Sequence, residues 1–144
     1  MDILSKLPYS KPFLFVDKII EINEDGVVGE YTFDENSDFY KGHFKDNPIT
    51  PGVILTEVMA QIGLVCLGLF LLNEKIQSSH VICLTSTDIE FLKIVYPNEK
   101  VTVISEKIYF RFGKLKCKVQ MKNVNNETVS RGVISGMIAE KNNI

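Results

Sequence analysis

The sequence predicts an α+β fold in which an antiparallel β-sheet wraps around one long central helix. Three observations lead there. Only one segment, Gly52 to Leu72, is both long and apolar on nearly every side. The remaining patterned segments are short, rich in β-branched and aromatic residues, and divided by turn-forming residues. Two of them precede the apolar segment and four follow it. With so few elements, only a sheet curled around the helix hides an all-round apolar surface.

The opening residues suit one helical turn. Phe13 to Ile22 (FLFVDKIIEI) then reads as a strand ending at the turn-forming Asn23 to Gly26, and Val27 to Phe33 as its hairpin partner. Asp34 to Pro51 follows without a period and contains Gly42, Pro48 and Pro51. Such a length is unusual for a plain connection and points to a functional loop. At the helix start Thr50 is placed to cap and Pro51 suits the first helical position. The helix is long enough to span a bilayer, at about 1.5 Å per residue. Glu57 and Gln61 argue against that reading, since an acid in a lipid-facing span costs on the order of 2.5 kcal/mol or more. No cationic cluster anchors either end, so membrane insertion is not expected. From His80 onward four strands are expected: His80 to Lys93, Lys100 to Phe110, Leu115 to Val124 and Thr128 to Ala139. Pro97 with Asn98, Gly113, and Asn125 with Asn126 separate them. In the third, Leu115, Cys117, Val119 and Met121 alternate with Lys114, Lys116, Lys118, Gln120 and Lys122, which predicts one wet face.

The chain has 144 residues, 45% hydrophobic and 24% charged, which fits a single domain over residues 1–144. Sixteen basic and eighteen acidic side chains leave a net charge of -2, which makes a nucleic-acid partner a poor expectation. Cys66, Cys83 and Cys117 form no CxxC pair and cannot all pair with one another, so neither a disulfide framework nor a cysteine zinc site is expected. The N-terminus lacks the pattern of a signal peptide, and a cytoplasmic location is expected. The charge is bipolar. Residues 1–90 carry six Lys against fourteen acids, whereas residues 91–144 carry eight Lys and two Arg against four. The basic portion is suited to an acidic partner.

Of the two histidines, His80 lies in a Ser/Ser/His turn and reads as structural. His43 differs: it sits in the unpatterned loop, nine residues before Gly52 and fourteen before Glu57. Glu57 stands among Val53, Ile54, Leu55, Val58 and Met59, where burial favours its neutral form, as a general acid working near neutral pH requires. The plainer reading of Glu57 is a buried carboxyl held by Gln61, one turn away on the same face. The first helical amides, including those of Gly52 and Val53, lack intrahelical acceptors and are aimed to receive a carbonyl oxygen gaining negative charge. Together these parts suit removal of a proton next to a carbonyl and loss of a protonated hydroxyl. GxxxxGK[ST], HExxH and GxSxG are absent, and no metal-ligand cluster is seen.

The run YKGHFKDNPITPGVILTEVMAQ, Tyr40 to Gln61, closely resembles the signature of the (3R)-hydroxyacyl-[acyl-carrier-protein] dehydratases of the FabZ type. GHF, a proline, PGV, and a Glu followed four places later by Gln recur there in this order. LPYSKPFLFVDKI is similar to the family's opening strand, and FLKIVYPNEKV to its segment leading into a later strand. The resemblance implies a hot-dog fold and a homodimer with joined sheets, commonly assembled into a trimer of dimers. It implies a hydro-lyase without metal or redox cofactor, acting in fatty-acid or specialised acyl or polyene biosynthesis. His43 would take the C2 proton, Glu57 of the other chain would protonate the departing 3-hydroxyl, and the Gly52 amide would hold the thioester carbonyl. Gln61 would orient Glu57, and Phe44, Val53 and Ile54 would line the acyl tunnel. The acidic acyl carrier protein gives the lysine-rich strand a possible docking role, although lysines there also suit a solvated face.

The chain departs from the pattern at Tyr9-Ser10, where the family usually has His-Arg, and at Asn98-Glu99, where Gly-Asp is usual. Asn can still take the left-handed turn a glycine favours. Lys45 and Thr50 stand where Pro and Met are common. These departures suggest a specialised pathway. The alternatives are a hot-dog acyl thioesterase, a non-catalytic acyl-binding protein, and a dehydratase that also isomerises its product. Related isomerising enzymes usually carry Asp at the acid position, so Glu57 favours dehydration alone.

Overall fold

The computed structural model describes residues 2–75, 77 and 79–140. Six antiparallel strands form one sheet: β1 (Lys18–Asn23), β2 (Gly26–Thr32), β3 (His80–Phe91), β4 (Lys100–Arg111), β5 (Lys114–Lys122) and β6 (Thr128–Glu140). Their spatial order is β1-β2-β4-β5-β6-β3, so β1 and β3 are the edges. One long helix, α1 (Gly52–Leu72), lies in the wrap of this sheet. Short 3₁₀ turns occupy Leu4–Lys6 and Asp38–Lys41. A sheet around one helix is the hot-dog fold.

The sheet can wrap because its ladders are interrupted. Register shifts fall between Ile19 and Glu21, Leu84 and Ser86, Lys107 and Tyr109, and Met121 and Lys122. An extra residue at such a point bends and twists its strand. Alternation does the rest: Val101, Val103, Leu115, Cys117, Val119, Met121 and Ile134 turn inward and are buried against α1. The lysines of β5 occupy the other face, as its alternation predicts.

Helix and sheet approach closely at Gly63. A Cβ there would lie 2.9 Å from Val119 Cγ1, and the Ser105 hydroxyl donates to the Gly63 carbonyl at 2.8 Å. The stretch Gln61–Cys66 is wound as a π-helix, with all six residues buried. Widened turns of this kind are frequent near functional sites. The burial of α1 identifies it as a core helix: Val58, Met59, Ile62, Leu64, Cys66 and Leu67 are each 0% exposed.

Two expectations need correction. Strand pairing begins at Lys18 and not at Phe13, because Phe13 and Phe15 bond to the Gln61 side chain in place of a neighbouring strand. Thr50 does not cap α1. Pro51 holds the N-cap position in an extended conformation, without a side-chain cap, and the Thr50 hydroxyl is turned inward to Tyr40. The remaining differences are shifts of one or two residues at strand ends. Asn98 does take a left-handed conformation, with φ of 71°.

Candidate active site

The site is built where the long loop enters α1. The 3₁₀ turn at Asp38–Lys41 brings the chain to Gly42 and His43, and the His43 N–H donates to the Phe39 carbonyl at 3.1 Å. Beyond it the chain doubles back, so that the Ile49 N–H donates to the His43 carbonyl at 2.9 Å. His43 Nδ1 lies 3.0 Å from the Ile49 carbonyl oxygen. A carbonyl only accepts, so this contact assigns the proton to Nδ1 and leaves Nε2 as a basic nitrogen. The Phe44 ring stacks on the imidazole, with centroids 4.3 Å apart.

Among the described residues the N–H groups of Gly52 and Val53 meet no acceptor, whereas those of Ile54 and Leu55 already return to the Pro51 carbonyl. Two donors are therefore free at the positive end of α1. The Phe91 ring lies against Gly52, where an added Cβ would sit 3.2 Å from the ring. Glycine permits that close approach. Val53 is 76% exposed and Phe44 55%, while Ile54 packs partly against the core.

Glu57 is one turn further along and half-buried, and its carboxylate accepts from Gln61 Nε2 at 2.9 Å. Burial pushes the Glu57 carboxyl above its ordinary value, and the Gln61 bond draws it part of the way back. Gln61 is 0% exposed, yet both its N–H groups and its oxygen are used. It also donates to the Phe13 carbonyl and accepts from the Phe15 N–H, each at 2.9 Å. These three partners fix the orientation of the amide. Burial, and after it the charge of Glu57, also push the Tyr9 phenol upward.

Glu57 opens onto a hollow between the helix start and edge strand β3, shared with Val53, Thr56, Leu84, Thr87 and Phe91. A larger hollow lies on the outer face of the sheet, among Asp88, Glu90, Glu106, Lys118 and Arg131. Its lining contains neither histidine nor free helix amides. Within one chain Gln61 meets Glu57, and Gly52 and Val53 share the helix start with them. No hydrogen bond or ion pair joins His43 to Glu57. His80 opens β3, where its Nδ1 accepts from the Gln77 N–H at 3.1 Å. Ser78, of the Ser/Ser/His run, lies outside the described residues. Among the described residues no three His, Cys, Asp or Glu side chains cluster to hold a metal ion.

Sequence reasoning missed Tyr40, Ile49 and Phe91, all of which shape this site. For Phe91 the available signal was the glycine at the helix start, which marks a close approach without naming what approaches. For Tyr40 and Ile49 no local signal existed.

A FabA-like domain model matches residues 7–138. The chain belongs to the FabA-like family. Among similar FabA-like proteins, the 3-hydroxyacyl-[acyl-carrier-protein] dehydratase FabZ of Caldicellulosiruptor bescii is 34% identical over 133 residues, covering 90% of this chain and 91% of that protein. The solved dehydratase heterocomplex ApeI:P of Xenorhabdus doucetiae matches with a TM-score of 0.81 at 12% identity, over 99% of this chain and 93% of that one. A hypothetical thioesterase of Streptococcus pneumoniae, solved with coenzyme A, matches at a TM-score of 0.62 and 14% identity, over 85% of both chains. At these identities the two structures share the fold with this FabA-like chain and carry no statement about its reaction.

Proposed function

We propose that this FabA-like protein is a hydro-lyase that removes water from (3R)-hydroxyacyl thioesters of acyl carrier protein, leaving trans-2-enoyl thioesters. One observation carries the reading: a carboxyl raised by burial, held by a buried glutamine, opens onto a hollow beside two partnerless helix amides. His43 Nε2 takes a proton from C2. The electron pair released forms the C2–C3 double bond as the C3–O bond breaks, and protonated Glu57 delivers its proton to the departing hydroxyl, which leaves as water. The Gly52 and Val53 N–H groups hold the thioester oxygen while charge collects on it. His43 is then protonated and Glu57 ionised, and exchange with solvent restores both. The proton transfers balance without a redox cofactor.

His43 and Glu57 of one site come from different subunits in this proposal. The position of the hollow beside an edge supports it. That edge is exposed from Leu84 to Asp88. β3 is twelve residues long, whereas β1, the other edge, has six and is interrupted by a register shift. A long open edge invites a second strand. We propose a homodimer joined through β3, with a trimer of dimers as the larger assembly. Phe44, Val53 and Ile54 would line the acyl channel. The carrier protein would meet the lysine face of β5, and the enzyme would act in the cytoplasm.

The test follows 3-hydroxyacyl thioesters of several chain lengths with the purified protein. Enoyl product supports the reading, free thiol identifies a thioesterase, and binding without turnover identifies an acyl-binding protein. Reversing charge at Lys116 and Lys118 should raise KM severalfold for carrier-bound substrate and leave that for small thioesters unchanged. Equal KM values for carrier-bound substrate would remove the lysine face from the proposal.

A further inference from the structure

We infer that Tyr40 and Thr50 are positioning residues for His43 and act on it through the peptide group that joins Ile49 to Thr50. The kinetic consequence rests on the dehydratase reading; the geometry does not. The Tyr40 and Thr50 hydroxyls lie 2.6 Å apart, and the two residues are 6% and 5% exposed. Water therefore does not compete for the bond, and loss of one partner strands the other hydroxyl in the core.

The bond closes the base of the loop that carries His43, since Tyr40 lies within the 3₁₀ turn that precedes Gly42 and Thr50 immediately precedes Pro51. Inside that loop one peptide group is held at both ends. Its oxygen, from Ile49, contacts His43 Nδ1 at 3.0 Å, and its N–H, from Thr50, donates to the Val95 carbonyl at 2.8 Å. A peptide group is planar and turns as a unit. Any rotation that releases the Thr50 N–H also swings the Ile49 oxygen away from the imidazole. The Tyr40 hydroxyl restrains the next atoms along the chain and so opposes that rotation. The tautomer and aim of His43 depend on this peptide, and the peptide depends on the buried hydroxyl pair. Among the described residues His43 makes no other polar side-chain contact that could do the same.

The experiment uses the full chain with Tyr40→Phe, Thr50→Val, the double substitution and the conservative Thr50→Ser. Two readouts are taken: imidazole ¹⁵N spectra of His43, and turnover of a 3-hydroxyacyl thioester. The expected wild-type spectrum is that of one tautomer with the proton on Nδ1. In Tyr40→Phe and Thr50→Val it should move toward a mixture of tautomers. Misplacing a reacting group is costly, so kcat should fall about tenfold or more while KM stays within about twofold. The double variant should be no worse than either single one, because all three break the same bond. Thr50→Ser should keep both wild-type readouts. Should Thr50→Val fail to fold, Tyr40→Phe, which keeps the ring, decides the question.

Unchanged spectra and unchanged kcat in a folded Tyr40→Phe protein would overturn the inference and reduce the pair to packing. A wild-type protein without dehydratase turnover, but with spectra that shift as expected, would remove the dehydratase reading and leave the positioning role standing.

Discussion

The first nine residues of α1 and the stretch that follows them belong to one helix and live in different solvents. From Gly52 to Ala60 the helix has a wet side, with Val53 76% exposed and Glu57 half-buried. From Gln61 to Leu69 every residue is buried. Both halves are apolar in sequence, and the difference comes from the sheet, which covers the second half and leaves the first beside the β3 edge. A carboxyl in the wet half can exchange protons with substrate and solvent, while its value is still raised by the apolar neighbours. A polar group in the dry half can only be structural, and Gln61 must satisfy every one of its hydrogen-bonding atoms inside the protein. Gln61 joins the halves, since it belongs to the dry one and holds the carboxyl of the wet one.

If the wet half holds the chemistry, Glu57→Gln and, from the loop that precedes the helix, His43→Ala should each lower turnover by about 10²- to 10⁴-fold, with little change in the thermal midpoint. Mixing the two inactive variants under conditions of subunit exchange should restore some activity, because a mixed dimer carries one intact site. Failure to recover any despite exchange would mean that each site is built within one chain. Leu64→Ala, in the dry half, should do the reverse: stability to urea falls by roughly 2–5 kcal/mol while turnover per folded molecule holds.

Gln61→Leu should blur the contrast by affecting both properties. It leaves the Phe13 carbonyl and Phe15 N–H without partners, at a cost of about 1–3 kcal/mol for each buried group. It also removes the bond that draws the Glu57 carboxyl down. The basic limb of the pH–rate profile, where a general acid loses its proton, should then move to higher pH, and a limb that stays in place would detach Gln61 from Glu57. The smallest effect is on stability against pH. Glu57 holds its proton more tightly folded than unfolded, so its contribution is fully present below the ordinary carboxylate value of 4.5 and is lost as pH rises through the folded value. Urea midpoints at pH 4 and pH 7.5 should show Glu57→Gln gaining on the wild-type protein as pH increases.

Much of this fold was legible in the residues. The bounds of α1 agree with the apolar run, and the inward face of β5 with its alternation, because burial against a neighbour leaves a period in the sequence. The unpatterned loop before α1 does carry the candidate histidine, and Glu57 and Gln61 do bond at the spacing of one helical turn. The misreadings arose where a side chain replaced a backbone partner. Phe13 to Val16 has the composition of a strand, but the Gln61 amide supplies hydrogen bonds that a strand would have supplied. Thr50 has the chemistry of a cap, but the returning loop turns its hydroxyl toward Tyr40.

By itself the sequence determined the one buried helix, the short strands around it and the residue types gathered at the helix start, since these follow from solvation and local geometry. Tertiary structure alone decided which half of the helix stays wet and which partners hold Gln61, at separations of 46 and 48 residues. It also decided which peptide group aims the imidazole of His43. Hydrogen bonds between distant segments depend on where the chain returns in space, and neither composition nor period records that path.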